Sequence, residues 1–295
     1  FWKVRMVKEK IYRQFFPMLF FVILIIYCIS LLFPMVWMFL SSVRDNMSFV
    51  QSPFGWPEEW LFKNYVDAFQ YLYVEVGSTG QRVYMIGMFA NTIAYAVGCS
   101  VVSVLSHCVV AYVVAKYKFR LAKVLYTTAI VTMILPIVGN MPSTLEILRL
   151  LRLYDNIWGL ILKSGGFTGV AFLIFYGTFK SLSWEYAEAA FIDGASHATV
   201  MFRIMIPQAR NVVLVLFLTT FIQYWNDYTT PLLIMPSYPT ISFGLYQFMN
   251  NNFNAVSDSP HIMAACMIAT LPIFLLFLIF KDKMMGNMSI GGLKG

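Results

Sequence analysis

Apolar residues fall in long unbroken runs along this chain, not in the alternation of a half-buried strand or the single stripe of a surface helix. Residues 15–40 and 85–115 carry no charge, and each exceeds the roughly 20 residues that a helix needs to cross a hydrocarbon core. Residues 124–145 form a third run, which Pro136 and Pro142 should kink or end. A fourth, 157–179, is interrupted by Lys163; a fifth, 211–234, carries Asp227; a sixth covers 262–280. The pattern predicts an all-α membrane protein of six transmembrane helices. Residues 1–14 are then an N-terminal tail and 15–295 a single transmembrane domain, with a loop at 180–210 and a C-terminal tail at 281–295.

Composition agrees. The 295 residues are 59% hydrophobic and 12% charged, where soluble domains carry about 25% charged residues. The first run follows Lys3, Arg5, Lys8, Lys10 and Arg13 as a signal peptide would. It is longer than the roughly 7–15 residues of a signal core and no A-x-A site follows, so an uncleaved anchor is expected. Cys28, Cys99, Cys108 and Cys266 all sit in apolar runs without CxxC spacing and read as packing residues.

Charge orients the spans. Six spans put both termini on one side, and fifteen of the 21 Lys and Arg then fall on that side: in the two tails, in 116–123 and in 180–210. Basic residues accumulate in cytoplasmic loops, so both termini and the 180–210 loop are expected in the cytoplasm. The net charge of +7 therefore needs no nucleic acid. Of the outer connections, 41–82 is long and turn-rich. The stretch before His261 is rich in Asn, Ser and aromatics, which suits either a protein or sugar contact or an ordinary solvated loop.

The stretch "EYAEAAFIDGASHATVMFRIMIPQAR" (185–210) stands apart. Ser183 is a good N-cap with Glu185 in the first turn, and nothing breaks a helix from Trp184 to Asp193. Gly194 suits a left-handed helix end, and Ser196 can cap a second helix running to Pro207. The product is helix, sharp bend, helix, lying on the membrane face. Ala187, Ala189 and Ala190 make a small surface that another protein could approach, with the Glu188 carboxylate in it. The alternative is an amphipathic helix resting on lipid headgroups.

These residues also carry a resemblance. Glu188-Ala189-Ala190, Gly194, and then Ile204, Ile206 and Pro207 resemble the EAA signature of ABC-importer permease subunits, with Ile206 where the family most often has Leu. Asp193 and the Ala195–Ser196 pair fit the carbohydrate branch. So do "NY" at Asn64–Tyr65, "NT" at Asn91–Thr92, "AYVVAKYKF" at 111–119, "YWNDYTTPLLI" at 224–234 and the terminal "GGLKG". The chain is most similar to the second permease of such systems, the maltose-transporter MalG type. The resemblance implies a non-catalytic permease of a bacterial or archaeal cytoplasmic membrane, paired with a second EAA-containing permease. Two cytoplasmic ATPase subunits would bind ATP and Mg, and an extracytoplasmic solute-binding protein would deliver a carbohydrate. It makes 180–210 the coupling element: Glu188, Ala189, Ala190, Asp193, Gly194, Ile204 and Pro207 would meet the ATPase. Asn250, Asn251, Asn252, Phe253 and Asn254 would reach the binding protein, and the GGLKG tail would touch the ATPases.

Motif absences point the same way. There is no GxxxxGK[ST], HExxH or GxSxG, so neither a catalytic site nor a metal or cofactor site is expected in this chain. His107, His197 and His261 are isolated, and His107 reads as a hydrogen-bonded packing residue in preference to a proton relay. Gly165 and Gly169 have GxxxG spacing, whose ordinary meaning is close helix packing. Asn91, Gln223, Tyr224, Asn226 and Asp227 are candidates for a translocation path. Asp227 either lines that path or fixes a helix break before Pro231. A polyamine or anion permease, an ion-coupled secondary transporter and a membrane-embedded enzyme are the competing readings. The second would show repeats and buried coupling carboxylates, and the third a cluster of acidic or histidine residues at a membrane face.

Overall fold

The computed structural model describes residues 2–77, 80–135, 139–250 and 258–285, with side chains from residue 15 to residue 282 of these. The first apolar run lies within one helix, α1 (Trp2–Ser42), continuous through Pro17 and Pro34. Two short helices follow, α2 (Asn46–Gln51) and α3 (Lys63–Tyr71), then an antiparallel hairpin of β1 (Tyr73–Val76) and β2 (Gln81–Tyr84) with Tyr73 opposite Tyr84. The second run is the helix α4 (Met85–Lys116), within one residue of expectation.

The third and fourth runs are not single helices. The third divides into α5 (Ala122–Ile134) and α6 (Met141–Leu150), with Pro142 in the first turn of α6, where its missing N–H costs nothing. The fourth divides into α7 (Ile157–Lys163) and α8 (Val170–Ser181), separated at Gly169, whose φ of 93° only glycine adopts readily. A side chain on Gly169 would meet nothing within 4 Å, so that glycine serves the backbone and not close packing. The loop region holds α9 (Glu185–Ile192), the single turn α10 (His197–Thr199), a wide π-turn at Val200–Met205 and the single turn α11 (Ile206–Gln208). The fifth run divides into α12 (Arg210–Asn226) and α13 (Thr229–Ile234); α14 (Ile241–Asn250) and α15 (Ser259–Met285) complete the chain.

Among the described residues three helical stretches are long and apolar enough to cross a membrane: Phe15–Ser42, Met85–Lys116 and Ser259–Asp282. The pair His197–Gln208 and Arg210–Asn226, bent by 76°, makes a fourth if counted as one span. The helices α5 and α8, at 13 and 12 residues, are only about 20 Å long, short of a hydrocarbon core of about 30 Å.

The chain divides into two units, Phe1–Leu72 with Asn252–Ile268, and Tyr73–Asn251 with Ala269–Gly295. In the first unit the end of α1 is organised around Arg44, 2% exposed, whose guanidinium donates to the carbonyls of Ser48, Ser52 and Gly55. Asn64 donates to the carbonyls of Ser42 and Arg44, and the Tyr65 and Ser42 hydroxyls lie 2.7 Å apart. The Asn64–Tyr65 pair thus pins α3 to the end of α1. The second unit is built round α4, against which α7, α8, α12 and α14 pack. One core cluster gathers Cys108, Ala111, Tyr112, Phe172, Phe175, Phe179, Ala187, Val200, Met205 and Ala209. His107 sits beside it with its ring nitrogens against the carbonyls of Ser103 and Thr168, as a packing histidine would be held.

Candidate functional site

Residues 183–209 form the expected helix, bend, helix. Ser183 Oγ accepts from Glu185 N–H at 3.2 Å, although Trp184 holds the capping backbone position and α9 begins one residue later than expected. The bend is at Gly194, φ 82°, the left-handed conformation anticipated from sequence. Ser196 caps the next turn by accepting from Thr199 N–H at 3.2 Å.

The two sides of α9 differ. Ala187 is fully buried, and Ala190, Phe191 and Trp184 pack on the same core cluster. Glu185, Glu188, Ala189 and Ile192 fall on the opposite side at three- and four-residue spacing and are exposed, Ile192 by 86%. The alanine surface read from sequence is therefore shared. Ala187 and Ala190 let the helix sit close to its own chain, and Ala189 alone of the three is presented outward beside Glu188 and Asp193.

Beyond the bend, Val200, Met205 and Ala209 are buried, at spacings of five and then four. A regular α-turn would rotate Val200 and Met205 onto different sides. The π-turn, closed by Ile206 N–H to Met201 carbonyl, brings a five-residue spacing round to one side. Ile204 packs on the same cluster, and Pro207 is exposed at the turn before the 76° corner. Small, buried Ala209 fills that corner.

Aromatic side chains tie this segment to the end of α4. Tyr117 lies edge-on to Tyr112, Trp184 and His197, and its hydroxyl is 2.9 Å from His197 Nδ1. His197 also packs on Phe191, with ring centres 4.8 Å apart. Lys116 donates to the Leu182 carbonyl at 2.6 Å, and Tyr112 packs edge-on against Phe179. Sequence reasoning noted 111–119 as a motif without a purpose. Here Lys116 and Tyr117 are the residues that hold the EAA segment, and no local pattern could have paired them with partners more than 60 positions away.

The path candidates occupy another region of the same unit. Asp227 ends α12 and accepts from Thr230 N–H at 3.0 Å and from the Tyr95 hydroxyl at 3.1 Å. The bond to Thr230 is that of a residue fixing a helix break, and the bond from Tyr95 ties that break to α4. Tyr224 stacks edge-on against Tyr95; Asn226 bonds back to the Ile222 carbonyl; Gln223 is exposed. Asn91 donates to the Pro239 carbonyl, and Thr92 accepts from Ile241 N–H while donating to Met88. Two residues absent from the sequence reading complete this region: Asp155, φ 54°, accepts from both Ser237 N–H and Ser237 Oγ. Its signal was the "YDN" turn, since Asp tolerates a left-handed backbone. Asn250 is exposed and bonds back to Tyr246. Asn251, Asn252, Phe253, Asn254 and the GGLKG tail lie outside the described residues. Among the described residues no three His, Cys, Asp or Glu side chains are gathered as a metal ion would require.

Comparison with known proteins places this geometry in context. The chain is 24% identical over 273 residues to the diacetylchitobiose uptake system permease protein NgcG of Streptomyces coelicolor, covering 91% of this chain and 86% of that one. It is 29% identical over 263 residues to the sn-glycerol-3-phosphate transport system permease protein UgpE of Pectobacterium atrosepticum, covering 88% and 91%. With the sulfoquinovosyl glycerol transport system permease protein SmoH of Agrobacterium fabrum it shares 24% over 268 residues, covering 90% and 89%. Its fold matches a chain from the crystal structure of a bacterial ABC transporter involved in the import of the acidic polysaccharide alginate. The TM-score is 0.76 at 22% identity, over 91% of this chain and 96% of the other. Residues 107–284, which include the whole helix–bend–helix segment, match a family profile. This chain belongs to that family, the binding-protein-dependent transport system inner membrane components.

Proposed function

We propose that the chain is the permease subunit of an ATP-driven importer for a carbohydrate, and that residues 184–207 receive force from a separate ATPase. One observation carries the second half: α9 is bound to its own core on one side and leaves Glu188, Ala189, Ile192 and Asp193 exposed on the other. A helix of this kind can be pushed as a unit. The aromatic contacts of Tyr117 with Trp184 and His197 would pass the movement to α4. Closure of two ATPase subunits on two such segments, one from this chain and one from a partner permease, would switch the spans as rigid bodies.

The carbohydrate reading rests on the relatives, whose names give diacetylchitobiose and sulfoquinovosyl glycerol as cargo. The UgpE likeness favours a second reading, a phosphorylated polyol. In this arrangement six spans cross the cytoplasmic membrane of a bacterium or archaeon with both termini inside. Asn250–Asn254 meet an extracytoplasmic binding protein, ATP and Mg are held by the ATPases, and GGLKG touches those subunits. In this reading Asn91, Gln223, Tyr224, Asn226 and Asp227 stand along the translocation path, and Asp227 also fixes the helix break before Pro231.

The test is ATP hydrolysis in proteoliposomes holding this chain, its partner permease, the ATPases and a loaded binding protein. Stimulation by one sugar-loaded binding protein should fall at least tenfold in Glu188→Lys and in Gly194→Pro while the complex still assembles. Full stimulation in both would remove the coupling role.

A further inference from the structure

The connection between α4 and α5 encloses an open cleft of about 670 Å³, lined by Lys116, Lys118, Arg120 and Lys123 with Tyr117, Tyr126 and Tyr176. We infer that this cleft is a binding site for the headgroup of an anionic phospholipid.

Charge is the first argument. Four of the eight residues from Lys116 to Lys123 are cations, and Lys180 adds a fifth from α8, its ammonium 5.7 Å from the centre of the Tyr176 ring. Lys116 spends its ammonium on the Leu182 carbonyl. Lys118, Arg120 and Lys123 are exposed, and none is ion-paired to a carboxylate of the described residues. Three unneutralised cations around one cleft repel one another unless an anion is shared among them.

Position is the second. Lys116 is the last residue of α4, which is long and apolar enough to cross a membrane, so the cleft opens where that helix leaves the hydrocarbon. Basic clefts between helices at that level suit phospholipid headgroups. The third argument is the rim. Phe119, Leu121 and Val124 are exposed by 38%, 63% and 56% beside these cations. An apolar rim next to a cationic cleft fits a ligand whose phosphate and acyl chains are carried on one glycerol, and does not fit a free anion. Tyr126 and Tyr176, with ring centres 4.6 Å apart, give the cleft a fixed wall with hydroxyls that can bond phosphate oxygens.

This inference needs α4 to span the membrane and is independent of how 184–207 acts. The complex would be purified, stripped of lipid and titrated with phosphatidylglycerol, with phosphatidylcholine and with inorganic phosphate, retention being read by native mass spectrometry. Wild type should retain phosphatidylglycerol over phosphatidylcholine. Joint replacement Lys118→Gln, Arg120→Gln and Lys123→Gln should weaken retention by at least tenfold, since each basic residue near a membrane surface is worth about fivefold. Lys118→Arg with Arg120→Lys should retain it, as should a control replacing Lys63, Arg82 and Arg152 with Gln. Retention unchanged in the triple variant, or equal for the two lipids, would overturn the site. Displacement of phosphatidylglycerol by millimolar phosphate would make the ligand a free anion and overturn the lipid assignment. If the triple variant does not assemble, wild type decides: a phosphatidylglycerol bearing a photoreactive headgroup must label 116–126, and labelling confined elsewhere, whether on this chain or a partner, refutes the proposal.

Discussion

Two interruptions of the second unit solve the same problem in opposite ways. Between α8 and α12 the chain turns through short helices and is held by apolar and aromatic packing: Ala187, Val200, Met205 and Ala209 underneath, with Tyr117, Trp184, Phe191 and His197 at the side. Between α12 and α14 it is held by polar side chains on backbone groups: Asp227 on Thr230, Asp155 on Ser237, Asn91 on Pro239 and Thr92 on Ile241. Hydrogen bonds to named backbone atoms fix a position, because small displacements break them. Apolar packing resists separation but is less directional, and here it leaves a polar outer side free. The first arrangement suits a part that is moved as a body, the second a part that stays put.

The sharpest way to break this comparison is to put a charge on each side of α9. Ala187→Glu would bury a carboxylate with no partner in the apolar cluster, at a cost of several kcal/mol, about 3 or more. The expected outcome is loss of assembled complex in detergent extracts. Ala189→Glu, two residues on and facing out, should leave assembly unchanged and reduce only the ATPase stimulation. If both variants assemble equally well, the inner side of α9 is not packed as described.

The polar region should respond more mildly and in a different property. Asp155→Ala leaves the N–H and hydroxyl of Ser237 without their acceptor, a loss of roughly 1.5–3 kcal/mol for bonds to a charged group. Thermal unfolding of the detergent-solubilised complex should shift down, with the ratio of transport to ATP hydrolysed unchanged. Asp155→Asn keeps an acceptor and should recover part of the shift.

The contrast also explains what could be read in the sequence. Features set by neighbouring residues were legible: α4 to within one residue, Gly194 at the bend, Ser196 at the cap and a break of the third run near Pro136 and Pro142. Features set by distant partners were not. Nothing local distinguishes Ala187 from Ala189, because the difference lies in the cluster around Val200 and Met205, which Ala187 joins and Ala189 does not. The π-turn at Val200–Met205 follows from where Val200 and Met205 must both point, and the division of the fourth run at Gly169 from a break that hydropathy averages over. Asn64 and Tyr65 were visible as a motif, but their bonds to Ser42 and Arg44 span 20 to 23 positions.

The smallest expected effect probes the link between α4 and the segment proposed to receive force. Tyr117→Phe keeps the ring against Tyr112, Trp184 and His197 and removes only the bond to His197 Nδ1. That bond is solvent-accessible, so its loss should cost about 0.5–1 kcal/mol and leave assembly intact. If the aromatic contacts transmit the movement, stimulation of ATP hydrolysis should fall less than twofold in Tyr117→Phe and much further in Tyr117→Ala, which removes the ring. Equal losses in the two variants would assign the transmission to the hydrogen bond. No loss in either would mean that α8, which packs on α4, carries the movement without help from the aromatic cluster.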